Sequence, residues 1–283
     1  VWSFASPASR NMPDSIKTIK KKNSVRVLFI GDIVGKLGRR TVLEVVPDLK
    51  KREKIDLVIA NIENLAHGKG ITKKSFEEIS KSGIGVFTGG NHIFDKKEGI
   101  PLLEDKTLHI LRPANYPDGA PGFGTFTVMA RDVPVTIINL MGRVFMKEDC
   151  DDPFRAFDRL VKDIPRENVV IVDFHAEATS EKRAFAFYVA GRASLVVGTH
   201  THVPTADAGI ITKHKLGYVT DVGMTGARDS VLGVRKDEVL AQFLTQLPVK
   251  HTMVDAGAAV FNSVSADIAG RGTVAIHRID LLK

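Results

Sequence analysis

Short segments rich in metal-ligand residue types recur along the chain, each directly after an apolar run. They are Gly31-Asp32, Asn61-Ile62-Glu63-Asn64, Gly89-Gly90-Asn91-His92, Asp173-Phe174-His175 and Gly198-Thr199-His200-Thr201-His202. Carboxylates carry the charge that holds multivalent cations, imidazoles bind transition metals through a neutral nitrogen, and an asparagine carbonyl adds a neutral oxygen. This mixture of donors suits iron, manganese or zinc, because calcium and magnesium prefer a shell made only of oxygen atoms. The segments therefore predict a transition-metal site, provided that the fold brings them together.

The elements that precede these segments are of a kind that would bring them to one place. Apolar runs predict strands at 25–30, 57–60 and 84–88, and amphipathic stretches predict helices between them at about 38–53 and 72–81. This alternation is the pattern of βαβ units, in which consecutive strands lie parallel and side by side. The carboxyl ends of parallel strands share one edge of a sheet, where ligands bind. We therefore expect the ligand segments to become neighbours at that edge.

A hairpin is predicted near the middle of the chain. A loop rich in Pro and Gly at 112–124 precedes two β-rich runs at 125–130 and 135–140. The two runs are close enough in sequence to pair through a turn about Asp132.

The second half of the chain is richer in strands than the first. Helices are predicted at 152–162, 180–190 and 236–246, and strands at 169–174, 194–197, 208–212, 217–220, 252–261 and 273–279. Ser180 is the expected N-cap of the middle helix, with Glu181 in its first turn. The glycine-containing segment 221–226 is expected to be a flexible loop that approaches a substrate, or a plain turn. Together the elements indicate an α/β fold with a mixed sheet, or two sheets packed together, flanked by helices.

The first 24 residues differ from the rest because they have no period-2 or period-3.6 apolar pattern. We expect a flexible, basic N-terminal arm over 1–24. Its charged residues are Arg10, Asp14, Lys17, Lys20, Lys21 and Lys22. The arm thus holds +4 of the formal net charge of +7 and leaves only +3 for 25–283. The positive net charge of the sequence is therefore weak evidence for nucleic-acid binding.

Cys150 is the only cysteine in the sequence. An intramolecular disulfide and a cysteine-based metal cage are therefore excluded within it, and we expect a reducing, cytoplasmic setting. The acidic neighbours Glu148, Asp149, Asp151 and Asp152 should raise the pKa of the thiol, which disfavours a nucleophilic role. The longest apolar runs fall far short of the roughly 20 residues that cross a bilayer, so no membrane span is expected.

Each residue type has a simpler explanation when it is taken alone. A strand-end aspartate such as Asp32 is more often a turn or cap residue than a metal ligand. A lone histidine such as His67 is more often a surface or hydrogen-bonded residue. What favours a metal site is the joint occurrence, in this order, of Gly-Asn-His, a strand-end histidine and His-x-His. An amidohydrolase also uses His-x-His, but near its first strand, whereas the pair here comes late.

These motifs resemble the YmdB-like branch of the calcineurin-like metallophosphoesterase superfamily. The segments that carry the resemblance are Gly31-Asp32-Ile33-Val34-Gly35, Asn61-Ile62-Glu63-Asn64, Asp173-Phe174-His175-Ala176-Glu177, Gly198-Thr199-His200-Thr201-His202-Val203-Pro204 and Asp221-Val222-Gly223-Met224-Thr225-Gly226. The usual Asp-x-His of the superfamily has Val34 in the histidine position, and the usual bridging aspartate is Glu63 here, as in the YmdB branch. The resemblance implies the calcineurin-like metallophosphoesterase fold, a two-sheet sandwich of mixed or parallel β-sheets flanked by helices. It also implies a single metallophosphoesterase domain over 25–283.

The resemblance further implies a ligand set for two transition-metal ions per chain. One ion would be held by Asp32, Glu63, Asn64 and His202, and the second by Glu63, Asn91, His175 and His200. Glu63 would then bridge the two ions. Iron or manganese is the expected metal, with zinc as the other candidate.

Three more residues are expected to act beside these ligands. His92 would protonate the departing oxygen or stabilise charge on the phosphoryl group, or else would only pack or orient Asn91. Asp173 and Glu177 would orient the ring of His175, unless Asp173 simply ends a strand.

The activity implied by the resemblance is that of a phosphodiesterase on cyclic nucleotides of the 2′,3′-cyclic and 3′,5′-cyclic AMP types, with a metal-bridging hydroxide as nucleophile. A phosphomonoesterase of the nucleotidase kind is the near alternative, because the same metal pair serves both reactions. A regulatory RNA- or protein-binding module with an inactive site would be favoured if ligands were missing. The expected partner is a small-molecule phosphate ester, with RNA as a further candidate, and the resemblance implies homo-oligomers.

Overall fold

The computed structural model describes residues 24–283. Its first part follows the predicted alternation of strands and helices. The elements in order are β1 (Ser24–Ile30), β2 (Asp32–Ile33), α1 (Gly35–Arg52), β3 (Leu57–Asn61), α2 (Lys73–Ile79), a 3₁₀ turn (Ser80–Ser82) and β4 (Val86–Thr88). α1 begins three residues before the predicted start at 38. α2 begins one residue after the predicted start at 72, because the Thr72 side chain caps it by accepting a hydrogen bond from the Ser75 N–H.

The second part contains four helices and the remaining nine strands of the described residues. The elements in order are two 3₁₀ turns (Lys97–Gly99 and Lys106–Leu108) around α3 (Ile100–Glu104), then β5 (Thr125–Ala130), β6 (Val133–Met141), α4 (Pro153–Val161), β7 (Val169–His175), α5 (Thr179–Val189), β8 (Leu195–Thr199), β9 (Gly209–Ile211), β10 (Leu216–Val219), β11 (Met224–Ala227), α6 (Lys236–Thr245), β12 (Ala259–Ala269) and β13 (Gly272–Leu282). β5 and β6 pair antiparallel, with Ala130 opposite Val133, which confirms the predicted hairpin.

The strands form two mixed sheets. The first has the order β2-β11-β12-β1-β3-β4, with β13 also paired to β12, and the second has the order β5-β6-β7-β8-β10-β9. In the first sheet β1, β3 and β4 are parallel, whereas β12 runs antiparallel to β1. In the second sheet β6, β7, β8 and β10 are parallel to one another. Each sheet therefore has a run of parallel strands whose carboxyl ends lie at one edge.

Three apolar layers hold the sheets and helices together. The inner layer joins residues of the first sheet, such as Phe29 and Ile59, to residues of the second, such as Ile137 and Ile171. α1 and α2 cover the outer face of the first sheet, and α4 and α5 cover that of the second. Complete burial of one such side chain stabilises the fold by about 1.5–3 kcal/mol. The predicted α/β fold, a two-sheet sandwich flanked by helices, is confirmed.

The strand predicted over 252–261 is wrong in position. β12 begins at Ala259 and continues to Ala269. Gly257 has a φ of 109°, which interrupts extended chain before the strand starts. The later part of the strand contains small polar residues such as Asn262 and Ser263, and these are extended because β1, β11 and β13 pair with β12.

The N-cap predicted at Ser180 is also wrong. α5 begins at Thr179, and Ala178 occupies the cap position without a side-chain hydrogen bond. Glu181 does lie in the first turn, and its carboxylate accepts hydrogen bonds from the N–H groups of Arg143 and Val144. The Glu181 side chain therefore binds the backbone that follows β6 and does not cap α5.

The flexible loop predicted over 221–226 is wrong for its second half. Residues Met224–Ala227 form the buried strand β11, which pairs with both β2 and β12. A strand held on both sides cannot serve as a mobile substrate loop.

The arm predicted over 1–24 lies outside the described residues, except for Ser24, which opens β1. The single domain over 25–283 stays a prediction, and the apolar layer shared by the two sheets supports it. Within 24–283, no helix combines the length and the apolar character that crossing a membrane requires.

Candidate metal centre

The predicted ligand segments lie together where strands of both sheets end. Asp32 opens β2, while Glu63 and Asn91 follow the ends of β3 and β4 in the first sheet. His175 is the last residue of β7, and His200 follows β8, both in the second sheet. The prediction of one shared sheet edge is therefore incomplete, because the ligands come from the ends of strands in two facing sheets.

Four ligand atoms converge on one point of this site. The His175 Nε2 atom lies 2.9 Å from Asn91 Oδ1, 3.1 Å from His200 Nδ1 and 3.3 Å from Glu63 Oε1. Metal bonds of about 2.1 Å would hold such ligand atoms about 3–3.4 Å apart. Glu63, His175 and His200 together could hold a metal ion. We call Glu63, Asn91, His175 and His200 the His175 set.

The ring nitrogens of the two histidines that face away from this point also have partners. His175 Nδ1 lies 3.0 Å from Thr199 Oγ1, which in turn donates a hydrogen bond of 2.7 Å to Asp173 Oδ1. His200 Nε2 lies 3.0 Å from a Glu177 carboxylate oxygen. Metal-binding histidines usually donate their second ring N–H to such an oxygen, which fixes the tautomer and the orientation of the ring. Both rings therefore present one nitrogen to the common point.

The two expected orienting carboxylates thus differ in position from the prediction. Asp173 reaches the His175 ring only through Thr199, and Glu177 contacts His200. The structure adds Thr199 to the residues of the site. In the sequence, only its position inside the Gly-x-His-x-His segment indicated a role for it.

Asp32 and Asn64 each present a buried oxygen that has no hydrogen-bond partner among the described residues. The two atoms are Asp32 Oδ1 and Asn64 Oδ1. The other Asp32 oxygen accepts from the His200 N–H at 3.2 Å, and the Asn64 amide donates to the Gly68 carbonyl at 2.9 Å. A buried oxygen without a donor is costly, and a cation is one group that would satisfy it. These atoms fit the ion that Asp32, Glu63, Asn64 and His202 are expected to hold, and we call Asp32, Asn64 and His202 the Asp32 set.

His202 is the least defined of the seven predicted ligands. Its Nδ1 atom lies 3.3 Å from the Leu232 carbonyl, and His202 is not part of the cluster of Glu63, His175 and His200. His200 and His202 have φ values of 102° and 64°, so the chain is not extended at these two residues. β8 ends at Thr199, and the backbone turns into the left-handed region directly after it. His202 as a ligand stays a prediction.

The site concentrates buried acids around one imidazole. Burial lowers the pKa of His175, but Glu63 and Asp32 outweigh it and raise that pKa to about 9. Burial would raise the pKa of Glu63, yet His175 lowers it to about 2. Burial raises the pKa of Asp32 well above its usual value, against the attraction of His175. This charge distribution suits a cation, because a bound metal would replace the proton on His175 and would face the carboxylates.

Gly90 lies against the centre of the His175 set. A Cβ atom on this residue would be 2.3 Å from His175 Nε2 and 2.4 Å from Glu63 Oε2. Only glycine leaves this space open, which explains the glycine before Asn91 in the Gly-Asn-His motif.

Asn61 is a further residue of the site whose role the sequence did not reveal. Its amide donates to the Gly89 carbonyl at 3.1 Å and to Asp173 Oδ2 at 3.2 Å, while its Oδ1 accepts from the Glu63 N–H at 3.1 Å. Asn61 therefore links the segment of Glu63 to that of Asn91 and to β7 of the other sheet.

His92 lies at the rim of the site. Its backbone N–H donates to Glu63 Oε2 at 2.8 Å, and its ring Nδ1 lies 2.9 Å from Asp95 Oδ2. The side chain is one quarter exposed. His92 thus fixes Glu63 through its backbone, while Asp95 orients its ring and leaves Nε2 as the nitrogen available to a bound molecule.

Comparison with known proteins identifies the family and the relatives of this chain. The family model described as YmdB-like protein matches residues 28–279. A curated relative from Bacillus subtilis (strain 168), the 2′,3′-cyclic-nucleotide 2′-phosphodiesterase, is 46% identical over 245 residues, which are 86% of this chain and 91% of the relative.

Two solved structures have the same fold as this chain. A hypothetical protein from Thermus thermophilus superposes with a TM-score of 0.86 and 42% identity, over 92% of this chain and 100% of that one. A phosphatase from Mycoplasma pneumoniae superposes with a TM-score of 0.86 and 32% identity, over 92% of this chain and 94% of that one.

Proposed function

The chain belongs to the YmdB-like protein family, which is related to the metallophosphoesterases, and on that basis we propose that it is a metal-dependent phosphodiesterase that hydrolyses cyclic nucleotides. The observation that carries the proposal is the convergence of Asn91, His175, His200 and Glu63 on one point. The 2′,3′-cyclic nucleotide is the preferred substrate, because the Bacillus subtilis relative bears that activity in its name. A 3′,5′-cyclic nucleotide is the second candidate of the same class.

The residues present fit a pair of transition-metal ions. The His175 set would hold one ion, and the Asp32 set would hold the other together with Glu63. When bound, two such ions lower the pKa of a water molecule and neutralise the phosphoryl oxygens of the ester. The mixture of imidazole, carboxylate and amide donors favours iron or manganese, with zinc as the third candidate.

Side chains of the protein itself orient the metal-binding rings and supply a proton to the leaving group. Thr199 and Glu177 hold the rings of His175 and His200, so neither ring has to reorganise when the substrate arrives. His92 would donate a proton from Nε2 to the departing ribose oxygen, and Asp95 would stabilise the charged imidazole from the Nδ1 side. General acid catalysis of this kind contributes about 10²–10⁴-fold to the rate.

Turnover of 2′,3′-cyclic AMP by manganese-loaded wild type and His92→Ala tests the proposal. We expect a loss of about 10²–10⁴-fold in kcat for His92→Ala with unchanged manganese content, because the ring is not a ligand. The exposed His214→Ala is the matched control and should behave as wild type. Wild-type protein that binds manganese but leaves the cyclic diester intact would contradict the proposed activity. Unchanged turnover of His92→Ala would remove only His92 from the mechanism.

Phosphomonoester hydrolysis is the second candidate function, favoured by the similarity to the Mycoplasma pneumoniae phosphatase. The same metal pair could serve both reactions, and the pocket around it decides between them. Release of inorganic phosphate from adenosine 3′-monophosphate, compared with opening of the cyclic diester, separates the two. Faster release from the monoester would replace the first proposal.

Three further expectations stay proposals: an RNA partner, homo-oligomers and a cytoplasmic setting. RNA as a substrate or partner is supported only by its chemical relation to 2′,3′-cyclic ends. A regulatory RNA- or protein-binding module with an inactive site is disfavoured by the convergence of Glu63, Asn91, His175 and His200. Assembly into homo-oligomers and a cytoplasmic setting are implied by the family resemblance and by the single cysteine.

A further inference from the structure

A buried ion pair lies directly behind the segment that carries His200 and His202. Lys182, in the first turns of α5, and Asp221, which follows β10, are joined by a contact of 2.7 Å between Nζ and Oδ2. Each side chain is only 1% exposed. Isolated buried charges are costly unless they are paired and fully hydrogen-bonded. The proposed reaction uses neither residue, so the pair needs another explanation.

The remaining hydrogen bonds of the pair go to the backbone on both sides of His200. Lys182 Nζ donates to the Thr199 carbonyl at 2.9 Å. Asp221 Oδ2 accepts from the Thr201 N–H at 3.1 Å. The pair thus holds the peptide group before His200 and the one after it.

The backbone that the pair holds is in an unfavourable conformation. His200 and His202 have φ values of 102° and 64°, in the region that favours glycine. Non-glycine residues stay in such conformations only where the surroundings impose them. The hydrogen bonds that Lys182 and Asp221 make to Thr199 and Thr201 can impose this backbone conformation, because hydrogen bonds to ionised groups are stronger than those between neutral groups.

The neighbouring structure leaves the segment little freedom to move as a whole. A Cβ atom on Gly198 would be 1.7 Å from the Thr220 carbonyl and 3.1 Å from Lys182 Cδ. Asp221 is fixed in turn, because its second oxygen accepts from the Gly223 N–H at 2.8 Å. The end of β8 and the chain after β10 are therefore packed against each other around the ion pair.

We propose that Lys182 and Asp221 are positioning residues that hold His200 and His202 in their left-handed conformation and thereby set the affinity of the centre for its metal ions. The inference rests on the proposed function, since it assigns the pair a role toward the same metal site. Neither residue would touch the substrate or a metal ion.

The test compares manganese binding by three metal-stripped proteins in calorimetric titrations with Mn²⁺ alone. The double variant Lys182→Met/Asp221→Asn removes both charges, so that neither is left buried and unpaired. The matched control is Arg26→Met/Asp267→Asn, which removes a half-buried pair that joins β1 to β12 without a contact to the ligand segments. We expect Mn²⁺ affinity about tenfold or more below that of wild type for the first double variant, and unchanged affinity for the control.

Asp221→Glu is the second variant if the double variant does not fold, because it keeps both charges of the pair. Its longer side chain displaces the carboxylate from the Thr201 N–H, so a weaker but measurable loss of Mn²⁺ affinity is expected. Wild-type affinity in folded variants of the Lys182–Asp221 pair, beside a wild type that binds Mn²⁺ and hydrolyses the cyclic diester, would overturn this inference and leave the proposed function standing. A wild type that binds no Mn²⁺ would overturn both.

Discussion

The His175 set and the Asp32 set differ in how completely the protein itself satisfies their polar atoms. In the His175 set both histidine rings are held through the nitrogen that faces away from the site, by Thr199 and Glu177. In the Asp32 set, two buried oxygens have no hydrogen-bond partner among the described residues. The first set is therefore arranged before any ion arrives, whereas the second depends on a cation to complete it. The two parts of one site thus differ in how far the protein arranges them in advance.

Glu63→Gln is the change that should affect both sets at once, because this carboxylate belongs to one set and is expected to bridge to the other. Its Oε1 atom lies 3.3 Å from His175 Nε2, and its Oε2 atom accepts from the His92 N–H. We expect loss of both ions and a fall in turnover of about 10³-fold or more. Metal content by mass spectrometry and turnover of the cyclic diester would measure this, with the exposed Glu167→Gln as control. Retention of two ions per chain would show that Glu63 is not shared.

Thr199→Val should weaken the His175 set alone. The variant keeps the shape of the side chain but removes the hydroxyl between His175 Nδ1 and Asp173. Loss of such an orienting group typically costs about 10–100-fold in metal affinity. Titration with Mn²⁺ should therefore show one weakened and one unchanged site. Thr225→Val is the matched control, because its buried hydroxyl has no hydrogen-bond partner among the described residues. Equal weakening of both sites would remove the distinction between the sets.

Glu177→Gln should have the smallest effect of the three. The carboxylate contacts His200 Nε2 at 3.0 Å, but its side chain is 47% exposed. Water can replace much of an exposed contact, so the affinity of the His175 set should fall less than about tenfold. The same Mn²⁺ titration measures it. A loss as large as that of Thr199→Val would mean that exposure does not weaken this contact.

Much of the architecture could be predicted from local patterns, because the parallel strands β1, β3 and β7 contain buried apolar runs at 27–30, 57–60 and 169–172. β11 and most of β12 could not, since their small polar residues become extended only when strands distant in sequence pair with them.

The low reactivity expected of Cys150 was also legible from its neighbours. Burial, and then Glu148, raise the pKa of this thiol to about 11.

The ligand types were legible for the same reason, because each stands directly after a recognisable strand. The residues that support them were not. Thr199 and Asn61 act through partners 26 and 112 positions away in the sequence, on a strand of the second sheet. Nothing in the sequence of α5 indicates that Lys182 is buried, and only the tertiary structure reveals its partner Asp221. Side chains whose role depends on a contact with residues distant in the sequence leave no local pattern.

Anomalous X-ray scattering from crystals of the manganese-loaded protein tests the central claim most directly. Two peaks about 3.5–4 Å apart are expected, with Glu63 between them, the His175 set around one and the Asp32 set around the other. A single peak, or two peaks that Glu63 does not touch, would contradict the account of a shared two-metal centre.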